Sequence, residues 1–209
     1  MIDSPNYLQQ AWQLTSGWEM IAVLFAIAYL VLAIKENNWC WPAALVSTLI
    51  YVFLFFDVNL YMESALQLFY VVMAIYGWLV WRNHTDTAQD LHISTWPVRY
   101  HLLSITLIVM LVGLSGLLLQ NNTNAAYPWL DSFTTWGAVI TTWMVARKIL
   151  ENWIYWLVID SVAIYLYIQR DLYLTAILFV FYIILCFVGF KQWHKTYKSQ
   201  AHANPISNS

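Results

Sequence analysis

The sequence predicts an all-α integral membrane protein with seven transmembrane helices. Three observations lead to this prediction. Of the 209 residues, 61% are hydrophobic and only 10% are charged, seven apolar runs are long enough to cross a bilayer, and one half of the chain resembles the other. A water-soluble domain could not cover its surface with so few charges. The spans must be helical because lipid offers no partners for backbone N–H and C=O groups.

Each predicted span is an apolar run close to the roughly 20 residues that a helix needs to cross about 30 Å of hydrocarbon. In chain order the runs are 17–34, 39–56, 62–81, 99–119, 132–147, 152–168 and 173–193. The fifth is short and rich in threonine, so its apolar signal is the weakest. Residues 1–16 are expected outside the bilayer, and residues 194–209 are expected to form a polar tail that frays.

The positive charges predict the orientation of the chain. Of the nine Lys and Arg residues, only Arg170 falls on one side of the predicted membrane. The eight on the other side are Lys35, Arg82, Arg99, Arg147, Lys148, Lys191, Lys195 and Lys198. Because Lys and Arg accumulate in cytoplasmic loops, the N-terminus is predicted outside and the C-terminus in the cytoplasm.

A shift of 112 residues places segment 60–81 over segment 172–193. The matched pairs include Tyr70 with Tyr182, Gly77 with Gly189, and Trp81 with Trp193. Chance similarity between apolar segments explains matches of leucine with isoleucine, but it explains the shared glycine and terminal tryptophan poorly. We therefore predict an internal duplication.

The predicted copies are two three-helix units, residues 17–81 and 132–193, joined by a linker helix at 99–119. An odd number of helices per copy, plus one linker, gives both copies the same orientation, a 3+1+3 parallel repeat. The substrate site is then expected near mid-membrane at the seam between the units. Upstream of these segments, a shift of 114 residues matches Trp39 with Trp153 and Val46 with Asp160. The difference between the two shifts predicts two extra residues in the first copy.

Asp160 lies near the middle of the sixth span, with no Lys or Arg in the same segment. A central acid costs about 2.5–3.5 kcal/mol on insertion scales, so it normally faces a cavity or a partner. Trp156 lies one turn before it on the same helical face, with Trp153 below and Tyr167 above. A carboxylate flanked by indole rings suits an organic cation. The alternative, an Asp that only ties helices together, stays open.

The second and third spans offer further polar groups. The amide of Gln67 could read a ligand's donors and acceptors, although a hydrogen bond between helices would use it equally well. Tyr70 lies on the same stripe, and Tyr51 could line the seam, although packing is the commoner role of a membrane tyrosine. The candidate substrate-binding residues are Trp156, Asp160, Gln67, Tyr70, Trp41, Tyr51, Trp153 and Tyr167.

Several functional classes find no support in the sequence. The five histidines are scattered, so no metal site is expected. There is no phosphate loop or protease motif, and only one acid is deep, so neither an enzyme nor a bound cofactor is expected. A net charge of −2 without a basic run gives no hint of a nucleic-acid partner. Cys40 and Cys186 are expected to be buried free thiols.

Two segments resemble a known family. The run NNWCWPAALVSTLIYVFLFFDVNLYMESALQLFYVVMAIYGWLVWR resembles the first repeat of the PnuC-like (pyridine nucleotide uptake) vitamin transporters, with their W-P, LY, LQ and YGW..W elements. The run WLDSFTTWGAVITTWMVARKILENWIYWLVIDSVAIYLY resembles the second, with a WDS-like start and the RK-x-x-EN-W join. Together the similarity covers roughly residues 18–193.

The resemblance implies a SWEET-like 3+1+3 fold in a bacterial cytoplasmic membrane, usually as a homotrimer. It also implies facilitated diffusion of an unphosphorylated B vitamin, which a cytoplasmic kinase then traps. Nicotinamide riboside carriers of the family resemble W-x-x-x-N at the sixth span, and thiamine carriers resemble W-x-x-x-D. This chain has Trp156-Leu-Val-Ile-Asp160, so thiamine is the expected cargo and nicotinamide riboside the alternative. The rival class is a substrate-binding subunit of an ATP-driven importer.

Overall fold

The computed structural model describes residues 17–57, 61–83, 91–122, 127–169 and 173–203. In this part of the chain the regular structure consists of seven α-helices, with no β-strand. They are α1 (Gly17–Ile34), α2 (Cys40–Asp57), α3 (Tyr61–Asn83), α4 (Val98–Asn122), α5 (Pro128–Ala146), α6 (Asn152–Gln169) and α7 (Tyr173–Ala203). The prediction of an all-helical chain with seven helices is confirmed.

Three stretches of helix are both long enough and apolar enough to cross a membrane. They are Gly17–Ile34 in α1, Val98–Asn122 in α4 and Ala176–Gln200 in α7. The stretches Cys40–Leu54 in α2 and Leu66–Arg82 in α3 are apolar but shorter. The threonine-rich α5 is not among these stretches, in line with its weak apolar signal in the sequence.

Two helix ends differ from the predicted spans for identifiable reasons. Helix α5 begins at Pro128, four residues earlier than predicted. The fixed φ of proline favours the first helical position, where its missing N–H is not needed. Helix α7 continues ten residues past Trp193 to Ala203, because the segment has no proline or glycine before Pro205. Residues 194–203 of the predicted frayed tail are therefore helical, and residues 204–209 lie outside the described residues.

Six of the helices pack side by side in a closed ring. Helices α1, α2 and α3 pack in sequence, and so do α5, α6 and α7. We refer to these sets as the first and second unit. The ring closes through contacts between α3 and α5 and between α7 and α1, while α4 packs on α5 outside the ring. This arrangement gives the ring two seams between the units and one interior.

Four equivalent helix boundaries of the two units lie 112 residues apart. Helix α1 ends at Ile34 and α5 at Ala146, α2 spans 40–57 and α6 spans 152–169, and α3 and α7 begin at 61 and 173. The prediction of two extra residues in the first copy is therefore wrong. The constant offset pairs Trp41, not Trp39, with Trp153, and Thr48, not Val46, with Asp160.

Four buried tryptophans, which we call the tryptophan cluster, fill one end of the ring. The members are Trp41, Trp81, Trp153 and Trp193, all at most 4% exposed. In each unit two of the indoles meet edge to face at 5.4 Å, and Trp81 and Trp193 meet across the units at 6.4 Å. A Cβ on Gly77 would enter the ring of Trp41, and one on Gly189 would lie 2.6 Å from that of Trp153. Glycine is needed at both positions because the indoles lie directly on the backbone.

Candidate functional site

Asp160 lies inside the ring, on the ninth residue of the 18-residue helix α6, and is only 4% exposed. The Sγ of Cys186 on α7 donates a weak hydrogen bond to Oδ2 of Asp160 at 3.8 Å. Two ion pairs of the described residues, His101 with Glu151 and Lys148 with Glu36, lie elsewhere. Among the described residues, the carboxylate is thus buried without a cationic side chain beside it.

Tyrosines from both units lie within electrostatic range of this carboxylate. Tyr70 on α3 and Tyr182 on α7 both lie close enough to Asp160 and Tyr167 to interact with them electrostatically. Tyr51 on α2 lies within the same range of Tyr167 and Tyr182. Three predicted residues, Tyr51, Tyr70 and Tyr167, therefore share one neighbourhood with Asp160.

Two cysteines and a further tyrosine extend this neighbourhood toward α1 and α2. Both cysteines are free and buried, which confirms the prediction from the sequence. Tyr29 lies within electrostatic range of Cys40, Tyr70 and Cys186. We call the whole group the central cluster, which comprises Tyr29, Cys40, Tyr51, Tyr70, Asp160, Tyr167, Tyr182 and Cys186. Its members come from all the ring helices except α5.

Trp41 and Trp153 belong to the tryptophan cluster instead. Trp153 precedes Asp160 by seven residues, which is about 10 Å along a helix. The indole Nε1 atoms of both residues are buried without a hydrogen-bond partner among the described residues. Since the two positions are 112 apart, each unit supplies one buried donor at the same place. These indoles therefore close one end of the ring, a turn or two away from the carboxylate.

The remaining candidates, Trp156 and Gln67, are half-buried. Trp156 packs against the buried core that contains the tryptophan cluster, so it lies between that cluster and Asp160 along α6. Gln67 precedes Tyr70 by one turn on α3.

Sequence reasoning missed Tyr29, Cys40, Tyr182 and Cys186 as members of the site. The signal for Tyr182 was present, because it is the residue that the shift of 112 matches with Tyr70. The two cysteines gave no pattern in the sequence beyond their apolar surroundings. Only the packing of α7 on α6 brings Cys186 to Asp160.

The two units contribute differently to the central cluster. They share a tyrosine at the matched positions 70 and 182, but the second unit has Asp160 and Cys186 where the first has Thr48 and Ala74. One unit thus supplies the charge while both supply aromatic rings. A desolvated carboxylate among tyrosine rings can bind a flat organic cation through Coulomb attraction and cation–π contacts. Among the residues described, no group of three or more His, Cys, Asp or Glu could hold a metal ion.

Comparison with known proteins matches almost the whole chain. The sequence model of the family described as nicotinamide mononucleotide transporter matches residues 16–195. The riboflavin/roseoflavin transporter RibM of Streptomyces davaonensis is 25% identical over 179 residues, which cover 84% of this chain and 83% of that protein. The nicotinamide riboside transporter PnuC of Escherichia coli K12 is 20% identical over 200 residues, covering 84% of each chain.

The fold is shared with a solved transporter. The crystal structure of the vitamin B3 transporter PnuC matches with a TM-score of 0.71 at 20% identity, over 92% of this chain and 87% of that chain. The helices of the ring and the linker helix therefore follow an established transporter fold. Because the family model matches most of the chain and reaches into all seven helices, the chain belongs to the PnuC-like nicotinamide mononucleotide transporter family.

Proposed function

We propose that this chain carries an unphosphorylated B vitamin across the membrane by facilitated diffusion. The observation that carries the proposal is the buried Asp160 carboxylate in the interior of a ring of membrane helices. An acid there is costly unless it serves a ligand or a partner, and the central cluster provides no cationic side chain for it. The names of the relatives, which describe riboflavin and nicotinamide riboside transporters, support a vitamin as cargo.

The proposed architecture is a 3+1+3 parallel repeat of the SWEET-like type, with the substrate between the units. The constant offset of 112 residues and the two matching seams support it. A pseudo-twofold axis would then run through the ring, and Asp160 would lie beside it. Transport would consist of opening the ring alternately at its two ends around this site.

Thiamine is the cargo that the chemistry of Asp160 favours. A carboxylate offers only hydrogen-bond acceptors. The amino group of the thiamine aminopyrimidine donates to one of its oxygens, and the adjacent ring nitrogen donates to the other in a charge-assisted way when that nitrogen carries a proton. The names of the relatives do not support thiamine, so the argument depends on this residue alone. Tyr70 and Tyr182 would hold the flat ring from the two units.

Nicotinamide riboside is the second candidate, favoured by the name of the PnuC relative. It is also a permanent cation, so charge does not separate the two vitamins. Its carboxamide, however, has both a donor and an acceptor, and an ionised Asp160 can satisfy only the donor. Riboflavin, named for RibM, is uncharged and leaves the buried carboxylate without a counter-charge.

The remaining parts of the proposal concern the setting of the transporter. The chain would lie in a bacterial cytoplasmic membrane, with its N-terminus outside and its C-terminus in the cytoplasm. It would assemble as a homotrimer, and a cytoplasmic kinase would trap the vitamin by phosphorylation. Cysteine accessibility and native mass spectrometry would test the orientation and the oligomeric state separately.

Counterflow in proteoliposomes that contain only this chain tests the proposed function. Vesicles preloaded with unlabelled thiamine should accumulate labelled thiamine transiently, without ATP or a second protein. The Asp160→Asn variant should lose most of this flux. Glu151→Gln, the same chemical change at an acid outside the central cluster, is the matched control and should retain it. Flux that requires ATP and a partner would instead identify a binding subunit of an importer, while flux of nicotinamide riboside alone would reassign the cargo.

A further inference from the structure

The two junctions between the first and second helix of each unit have the same backbone structure. Glu36 follows the end of α1 by two residues, and Lys148 follows the end of α5 by two residues. Both have left-handed φ values, of 54° and 51°. At each junction the next residue donates its N–H five residues back, from Asn37 to Leu32 O and from Ile149 to Met144 O, both at 2.9 Å. This pattern is the Schellman motif, in which glycine normally occupies the left-handed position.

The charged side chains at these left-handed positions contact each other. Lys148 Nζ lies 3.1 Å from Glu36 Oε2, and the two side chains are only 13% and 18% exposed. Lys148 Nζ also lies 4.9 Å above the ring of Trp81. A contact between two positions related by the 112-residue offset crosses between the two units at the same end of the ring. Glycine at these two positions would avoid the backbone strain. The ion pair therefore explains why charged side chains occupy them instead.

Two tryptophans link each unit to the junction of the other. Trp81 Nε1 donates to Ala146 O at 3.1 Å, and Trp193 Nε1 donates to Ala33 O at 3.0 Å. The first bond crosses the seam between α3 and α5, and the second crosses the seam between α7 and α1. We call the ion pair and these two indoles, Glu36, Lys148, Trp81 and Trp193, the junction lock.

The two seams of the lock are not fastened equally. Residues 91–97, the linker strap, join the α5–α6 junction through hydrogen bonds from Ser94 N to Lys148 O at 3.1 Å and from Leu150 N to Ser94 O at 2.8 Å. Ile93 of the strap is buried at 3% exposure. No residue in the described ranges makes the corresponding bridge to the α1–α2 junction. The α5–α6 junction, which Trp81 joins to α3 across the seam between α3 and α5, therefore has a second fastening. We call this seam the strapped seam. Within the described residues, the α1–α2 junction at the seam between α1 and α7 has no such fastening.

We propose that the junction lock is the gate at this end of the ring, and that it opens at the seam between α1 and α7 while the strapped seam acts as the hinge. The positive charges place this end in the cytoplasm in the proposed orientation, so opening would release the vitamin there. The role of the junction lock as a gate rests on the proposed transport function. The contacts that form the lock, however, do not depend on which vitamin is carried.

Cys40 provides a native reporter for the state of the gate. It is the first residue of α2, directly after the α1–α2 junction, and is 0% exposed. It also lies within electrostatic range of Lys148. Opening between α1 and α7 would expose this thiol to a small maleimide from the junction end. Peptide mass spectrometry separates its modification from that of Cys186, the other cysteine of the chain.

The first experiment measures the rate at which N-ethylmaleimide modifies Cys40 in proteoliposomes without vitamin. Glu36→Gln and Lys148→Gln should each raise the rate about fivefold, which corresponds to about 1 kcal/mol at 1.4 kcal/mol per factor of ten. The charge swap Glu36→Lys with Lys148→Glu should return the rate to near wild type, because the two positions have equivalent backbones. Glu36→Asp, which keeps the charge, should lie between wild type and Glu36→Gln.

Unchanged rates in both neutral variants would overturn the proposal, and so would a charge swap that reacts as fast as the single variants.

The second experiment compares Trp193→Phe with Trp81→Phe, which remove equivalent indole N–H donors and keep an aromatic ring. Trp193→Phe should raise the Cys40 rate several-fold, and Trp81→Phe should change it less than twofold. Equal effects would refute the hinge at the strapped seam. Because no vitamin is present, a wrong cargo would show only in counterflow and not in this assay.

Discussion

Replacement of Asp160 by Asn removes the charge from the central cluster while keeping the shape of the side chain. The carboxylate is 4% exposed, so a bound cation interacts with it in a largely water-free setting. Loss of one charge-assisted hydrogen bond costs about 1.5–3 kcal/mol, which is about a 10- to 100-fold loss of thiamine affinity. The bond from Cys186 to Asp160 at 3.8 Å can persist, since the Asn oxygen is also an acceptor, so the fold should be retained.

Titration calorimetry of wild type and Asp160→Asn with thiamine and with nicotinamide riboside measures this effect. The amide has one donor and one acceptor, which match the carboxamide of nicotinamide riboside. Affinity for that vitamin should therefore stay the same or rise while thiamine affinity falls. Glu151→Gln serves as the control for a general loss of negative charge. Unchanged thiamine affinity in Asp160→Asn would remove this residue from the site and refute the reasoning.

Three further predictions follow from individual contacts. Gly77→Ala should destabilise the protein by about 1–3 kcal/mol in thermal unfolding, because the added Cβ would enter the ring of Trp41. The control Gly113→Ala should leave the stability unchanged, because no atom lies within 4 Å of its added Cβ. Ser47→Ala should cost about 1 kcal/mol in the same assay, because it loses a buried 2.8 Å hydrogen bond to α1. Tyr182→Ala should weaken thiamine binding by about 0.5–2 kcal/mol in calorimetry, and Tyr182→Phe should restore it; equal affinities in both variants would exclude a ring contact.

The helices could be predicted from the sequence because each is an apolar run with polar ends. The start of α6 was predicted at Asn152 and lies there. The end of α7 was not, since hydropathy marks where a helix leaves the membrane and not where its backbone hydrogen bonds stop. The offset between the units was misjudged upstream because Trp39 and Trp41 both precede the same apolar run. Only packing distinguishes them: Trp41 is 1% exposed and Trp39 is 65% exposed.

The candidate site was predictable only in part. The cost of a buried acid identified Asp160 from its position within an apolar segment. The internal match of Tyr70 with Tyr182 pointed to the seam between the two units. The contact of Cys186 with Asp160 depends on how α6 packs on α7, which no local pattern encodes. Trp41 and Trp153, which the sequence predicts near the substrate, lie in the tryptophan cluster, because the glycines of α3 and α7 receive their rings.

A structure determined with thiamine bound tests the central claim most directly. The account predicts the aminopyrimidine within hydrogen-bond distance of the Asp160 carboxylate, between Tyr70 and Tyr182 and inside the ring of six helices. A ligand bound outside the ring would contradict it. The site outside the ring where such a ligand would be found is the apolar groove of about 450 Å³ between α4, α5 and α6, which includes His101 and Tyr155.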